Sequence, residues 1–233
     1  MNSDRDHHAA RPGPTPEGDA SLVNLASDVY AWFTAQAAWR ASCAQLAAHL
    51  PAGTTLRVLD LGCGPGVSTF ELARARPDGL VVGLDLTTQM LRQARRRLPI
   101  AGLRPRQVHW LRADAARLPF ETESLDAVTT HSFLYFVPDP AAVLAESLRA
   151  LRPGGRFITM EPSARPVGLR EVWRLSRDLR FLISVALWRL FSLVHGRFSS
   201  GSLCATLAQA GFTRCDAEEA LGGLGVLAWA EKP

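Results

Sequence analysis

Cysteine is sparse in this 233-residue chain. The four residues, Cys43, Cys63, Cys204 and Cys215, are scattered, and no two stand in a C-x-x-C pair. That spacing speaks against a zinc site and for a reducing compartment. No apolar run approaches the roughly 20 residues that span a bilayer. Residues 1–20 are polar and proline-rich and contain no apolar core of a secretory signal. A cytoplasmic location is the expectation. Excess charge is also scarce. The net charge is +4 and the pI about 9.2, without the dense basic patch and interleaved aromatics of a nucleic-acid surface. What remains, 47% hydrophobic and 21% charged residues, is ordinary for a globular protein of one domain with attached pieces. A chain this long buries roughly 70–75% of its unfolded surface, so it needs neither disulfide nor metal for stability.

Composition divides the chain. Residues 1–20 read as a disordered tail, with Pro12, Pro14 and Pro16 among charges; His7 and His8 there read as solvated rather than metal-binding. Residues 21–53 read as an alanine-rich helical cap that carries Val29, Phe33, Leu46 and Leu50 and stops at Pro51-Ala-Gly53. From 54 to 164, short apolar strands alternate with helices: strands at 56–61, 80–85, 108–112, 125–130 and 156–161, helices at 67–75, 87–98 and 140–151. That alternation predicts an α/β fold, a parallel sheet covered on both faces, with a ligand crevice at the carboxyl ends of its strands. Residues 165–200 form a helical insert, with one long helical stretch over 168–195. Residues 201–233 complete the sheet with a helix at 203–210 and strands at 212–218 and 224–230.

The most informative stretch is Val58-Leu-Asp-Leu-Gly-Cys-Gly-Pro-Gly66, a hydrophobic run that ends in a carboxylate and three alternate glycines. Gly62, Gly64 and Gly66 leave no side chain between backbone and ligand. The pattern is G-x-G-x-G. The dinucleotide fingerprint needs glycine where Val67 stands, so the reading moves from NAD to another adenosyl ligand. Asp85 closes the second strand 19 residues after Gly66, where a carboxylate can accept from both ribose hydroxyls. Leu86 and Met90 can sandwich an adenine ring, and Asp114, at the end of the third strand, can accept from its amine.

These residues resemble the class I S-adenosylmethionine-dependent methyltransferases, and within them the type 11 group that includes the ubiquinone/menaquinone C-methyltransferases. The resemblance is strong over 55–162 and weak over 200–231. Besides the glycine loop it rests on Gly83-Leu-Asp-Leu86, Ala113-Asp-Ala-Ala-Arg-Leu-Pro-Phe120, Leu125-Asp-Ala-Val128, Leu148-Arg-Ala-Leu-Arg-Pro-Gly-Gly-Arg156 and Ala210-Gly-Phe212. It implies a three-layer Rossmann-like sandwich whose seven-stranded sheet is parallel except for the last strand. The implied cofactor is S-adenosyl-L-methionine, with S-adenosyl-L-homocysteine as product. Asp60, Gly62, Cys63, Gly64 and Gly66 would face its methionine part, Asp85 the ribose, Asp114 and Ala115 the adenine, and Thr130, His131 and Ser132 the reactive methyl. His131 is the first candidate for a catalytic base and Tyr135 the second; Glu161 and His195 are weaker. After the fourth strand stands His131-Ser-Phe-Leu-Tyr135, not the Asn/Asp-Pro-Pro-aromatic motif of DNA amino-methyltransferases. No carboxylate cluster stands there to hold Mg²⁺, so no metal is expected.

The insert should choose the substrate. Residues 165–197 hold seven arginines and two acids, Glu171 and Asp178. Val172, Leu175, Leu179, Ile183, Ala186, Leu190 and Val194 recur at helical spacing. Three readings stand: a lid with this apolar face toward the substrate, an amphipathic helix on an anionic membrane, and a helix packed on the sheet edge. Tyr30, Trp32, Phe33 and Trp39 add aromatic surface that could close the same pocket. The expected function is methyl transfer to a small apolar or aromatic acceptor, quinone-like or phenolic. The alternatives are N-methylation of a phospholipid or other amine at a membrane, and a cofactor-binding module without catalysis. No nucleic-acid partner is expected.

Overall fold

The computed structural model describes residues 28–29 and 31–233; the expected tail, the start of the first helix and Tyr30 lie outside the described residues. The apolar runs after Gly53 fold as strands because both their faces are covered. Within β1 (Arg57–Leu61) every residue after Arg57 is buried, and in β4 (Leu125–His131) every residue before His131. Such two-sided burial is what a near-continuous hydrophobic strand requires.

With β2 (Leu80–Asp85), β3 (Val108–Arg112), β5 (Leu151–Pro162), β6 (Thr213–Ala220) and β7 (Gly225–Glu231), these strands form one seven-stranded sheet in the order β3-β2-β1-β4-β5-β7-β6. Strands β1 to β5 pair in parallel, and β7 runs antiparallel to both β5 and β6. One core holds Leu46, Phe70, Leu72, Ile158 and Phe181. A second holds Leu59, Leu84, Val128, Leu144, Phe157 and Leu207. The sheet separates them, which gives the three layers.

The helices are α1 (Ala37–Ala48), α2 (Val67–Ala75), α3 (Thr88–Arg97), α4 (Pro140–Ala150), α5 (Leu169–Leu175), α6 (Leu179–His195) and α7 (Ser200–Gln209). Three local expectations are corrected. The long helix over 168–195 is two helices, because Asp178 accepts from the Arg180 N–H at 2.9 Å and starts a new one. Strand β5 starts at Leu151 rather than Arg156, its pairing with β4 interrupted between Leu125 and Ala127. Finally, Cys204 on α7 and Cys215 on β6 are joined in a disulfide. The return of the chain from helix to adjacent strand brings together two cysteines 11 residues apart, which spacing alone does not reveal. This removes the cysteine argument for a reducing compartment. Cys43 and Cys63 are free and buried.

Candidate active site

The strand order reverses between β1 and β4, so their carboxyl ends open the crevice of the sheet. The glycine loop leaves β1 there. Gly62, Gly64 and Gly66 all take positive φ, at 62°, 52° and 88°, conformations costly for other residues. Two of the three also make room for the protein itself. A β-carbon on Gly62 would enter the ring of Phe133, and one on Gly66 would lie 2.8 Å from Trp110 Cη2 and 2.9 Å from Phe70 Cζ.

Asp85, half-buried at the end of β2, braces the loop. Its Oδ2 accepts from the Gly64 N–H at 3.0 Å, and its Oδ1 from the Thr87 N–H at 2.8 Å. An ionised carboxylate has about four acceptor positions, so two remain for a ligand's hydroxyls. Beside it Leu86 is 65% exposed, an apolar side chain left open where an adenine face would lie, and Met90 is half-buried. Asp114 is exposed and accepts from the Ala116 N–H at 2.9 Å; Ala115 is buried.

Other expected cofactor residues serve the scaffold. Asp60 is fully buried; its carboxylate accepts from the hydroxyls of Ser68 (2.7 Å), Thr69 (2.6 Å) and Thr129 (3.0 Å). Burial pushes its pKa up to about 6, against the pull of those hydroxyls. It ties β1 to the first turn of α2 and to β4. Cys63 is buried and its N–H donates to the Leu84 carbonyl, while Thr130 is fully buried and bonded to Thr159 at 2.9 Å.

Glu161 holds the turn that follows β4. It is fully buried and accepts from the N–H groups of Leu134 (2.9 Å), Phe133 (3.2 Å) and Tyr135 (3.3 Å), and from the hydroxyls of Thr159 (2.9 Å) and Thr130 (3.3 Å). Desolvation raises its pKa, with the N–H donors working against the rise. The turn it holds carries the reactive candidates. Ser132 sits at φ 55° with its Oγ buried and without a partner, an orphaned polar atom at the crevice that a cofactor could satisfy. Tyr135 is buried, its ring edge-on to Phe136 (5.2 Å) and Phe191 (5.9 Å).

His131 shares a hydrogen bond with Ser42 Oγ at 2.8 Å, and that hydroxyl also donates to the Trp39 carbonyl. Desolvation pushes the histidine's pKa down to about 4, so the ring is neutral at pH 7. Trp39 crosses it edge-on at 6.2 Å, and Trp39 Nε1–H donates to Ser184 on α6 at 2.8 Å. Sequence reasoning missed Ser42, because a serine 89 residues before its partner carries no local signal. His195 is placed elsewhere: it ends α6, exposed, stacked on Phe191 at 3.9 Å.

Residues 59–159 match the model of a methyltransferase-domain family. The trans-aconitate 2-methyltransferase of Azoarcus sp. (strain BH72) is 41% identical over 117 residues, 50% of this chain and 43% of that protein. The demethylmenaquinone methyltransferase of Lactococcus lactis subsp. lactis is 39% identical over 126 residues, 54% of this chain and 48% of that one. The matched region thus spans half or less of the length of these curated relatives. Among solved structures, the [4+2]-cyclase SpnF superposes with a TM-score of 0.70 at 19% identity, covering 95% of this chain and 98% of that one. That likeness concerns the fold, which therefore hosts more than one chemistry. The G-x-G-x-G loop, strand-end acids and sheet order accord with that match: residues 59–159, less than half of the chain, carry a methyltransferase domain similar to the type 11 group of the class I S-adenosylmethionine-dependent methyltransferases.

Proposed function

We propose that this chain transfers the methyl group of S-adenosyl-L-methionine to a small apolar or aromatic acceptor of quinone-like or phenolic type. The observation that carries this reading is the wall around His131 at the end of β4. Phe133, Tyr135, Phe136 and Phe191 interlock edge-to-face between the turn after β4 and α6, and Trp39 crosses His131 itself edge-on. Such a wall favours a flat apolar molecule.

The residues fit the cofactor. Asp85 has two acceptor positions to spare, Leu86 is uncovered, Asp114 and Ala115 stand at the adenine edge, and Ser132 Oγ lacks a partner. The cofactor supplies a methyl already activated on a sulfonium. The chain's task is to hold the acceptor atom in line and exclude water, an orientation effect worth up to roughly 7–11 kcal/mol. Phe133 and the aromatic wall orient the acceptor ring. Ser42 fixes the His131 imidazole, which takes the proton that a phenolic or carbon acceptor loses; Tyr135 closes the wall and is the second candidate to touch the acceptor.

Because His131 is neutral above about pH 4, kcat/KM should show no ionisation near 6.5 from this residue. His131→Ala should lower turnover of proton-bearing acceptors about a hundredfold and change S-adenosylhomocysteine affinity less than twofold. The assay is transfer of labelled methyl to a panel of quinols, phenols and lipid amines across pH 5–9. Full activity of the variant would remove His131 as base; turnover confined to amines would replace the acceptor class by the amine one.

A further inference from the structure

Helix α6 is apolar on two faces, one of which buries Phe181 and Val185 in the core. The face expected to cover a substrate points to solvent: Leu179 is 68% exposed, Leu187 54%, Leu190 62% and Val194 81%, with Ile183 between them at 41%. At 100° per residue these five fall within one stripe of the helix. The inward face carries two serines beside the buried Phe181 and Val185. Ser184 accepts from Trp39 Nε1–H, and buried Ser192 accepts from Arg197 at 2.9 Å. Phe181 and Val185 in the core, with the Trp39–Ser184 bond, hold the helix in this rotation and leave the apolar stripe outward.

The neighbouring helix extends the face. On α5, Leu169 is 80% and Trp173 52% exposed. Next to them Trp173, Arg174, Ser176 and Arg177 line an open depression of about 550 Å³, with two guanidinium groups, a hydroxyl and an indole. Segment 165–197 carries seven arginines against two acids. Among the described residues no helix is long and apolar enough to cross a membrane.

We propose that the outer face of α5 and α6 docks on an anionic lipid bilayer, with Leu187, Leu190 and Val194 dipping into the acyl boundary and Arg170, Arg174 and Arg177 meeting the lipid phosphates. Charge complementarity selects this occupant. A basic rim around an apolar stripe suits anionic lipid, and a tryptophan at the boundary suits the interfacial depth. Residues 1–27 contain only Met1, Leu22, Val23 and Leu25 as large apolar side chains, among six acids and arginines, four of them before position 12 and two at 17 and 19, a poor cover for such a stripe. The face is also continuous with the acceptor wall through Phe191 and Phe136, 46% and 43% exposed, so a lipid-dissolved acceptor would reach His131 from the bilayer side.

The test is co-sedimentation of the full chain with phosphatidylcholine vesicles that contain or lack phosphatidylglycerol, at low and high salt. Partition onto the anionic vesicles should be at least tenfold stronger and fall with salt. Leu187→Glu/Leu190→Glu/Val194→Glu should abolish it, with circular dichroism and S-adenosylhomocysteine affinity unchanged, since these side chains face solvent. Arg170→Gln/Arg174→Gln/Arg177→Gln should weaken it at least tenfold. Equal binding of the triple glutamate variant, or no preference for anionic vesicles, would overturn the proposal. So would a dimer that the glutamates dissociate and no vesicle binding, which would make the face a self-interface. Binding here needs no turnover, so failure of the methyl-transfer assay and failure of this test are separate results.

Discussion

Glu161→Ala is expected to lower the unfolding free energy by about 3–5 kcal/mol, the range for removing one partner of a buried charged network. The side chain is fully buried, and five donors converge on it: three successive N–H groups of the turn 133–135 and two threonine hydroxyls. Alanine leaves those donors desolvated and unpaired. Glu161→Gln should cost less, about 1–2 kcal/mol. Its carbonyl still accepts where Oε1 stood, while its amide opposes the Tyr135 N–H at the old Oε2 position. Urea unfolding of both variants checks the order. A loss under 1 kcal/mol for the alanine variant would mean that the turn holds itself. The same turn carries Ser132, Phe133 and Tyr135, so the loss should appear in acceptor KM even where the protein stays folded.

Asp85→Ala is expected to weaken S-adenosylhomocysteine binding by about 1–3 kcal/mol, roughly 5–150-fold. Two effects add. The carboxylate's remaining acceptor positions no longer meet the ribose hydroxyls, and Gly64 and Thr87, in the loops after β1 and β2, lose the group that braces them together. Asp85→Asn keeps one acceptor and should fall between wild type and alanine. Calorimetric titration of the three proteins reads this directly, and unchanged affinity would take Asp85 out of the site.

The sequence was readable where the physics is local. Val58–Leu61 and Leu80–Asp85 announce themselves as two-sided strands, and Gly62, Gly64 and Gly66 stand where positive φ is needed. Alternation of strands and helices then sets the sheet, and Asp85 follows from its place at a strand end. What stayed hidden depends on distant partners. The periodicity of Leu179, Ile183, Leu190 and Val194 locates a stripe but not the direction it faces; Phe181 and Val185, packed in the core, and Ser184, bonded to Trp39, decide that. Asp60 and Glu161 look like chemical groups in the sequence and become struts because Ser68, Thr69 and Thr129, or Thr159 and the turn at 133–135, surround them. The Cys204–Cys215 disulfide depends on a helix-to-strand return that spacing cannot show.

Titration of the purified chain with S-adenosylhomocysteine and, separately, with NAD bears most directly on the central claim, that the β1 loop and Asp85 form an adenosylmethionine site. Micromolar binding of the first ligand and none of the second is the predicted result. Binding of NAD, or of neither ligand while the fold is intact by circular dichroism, would contradict it.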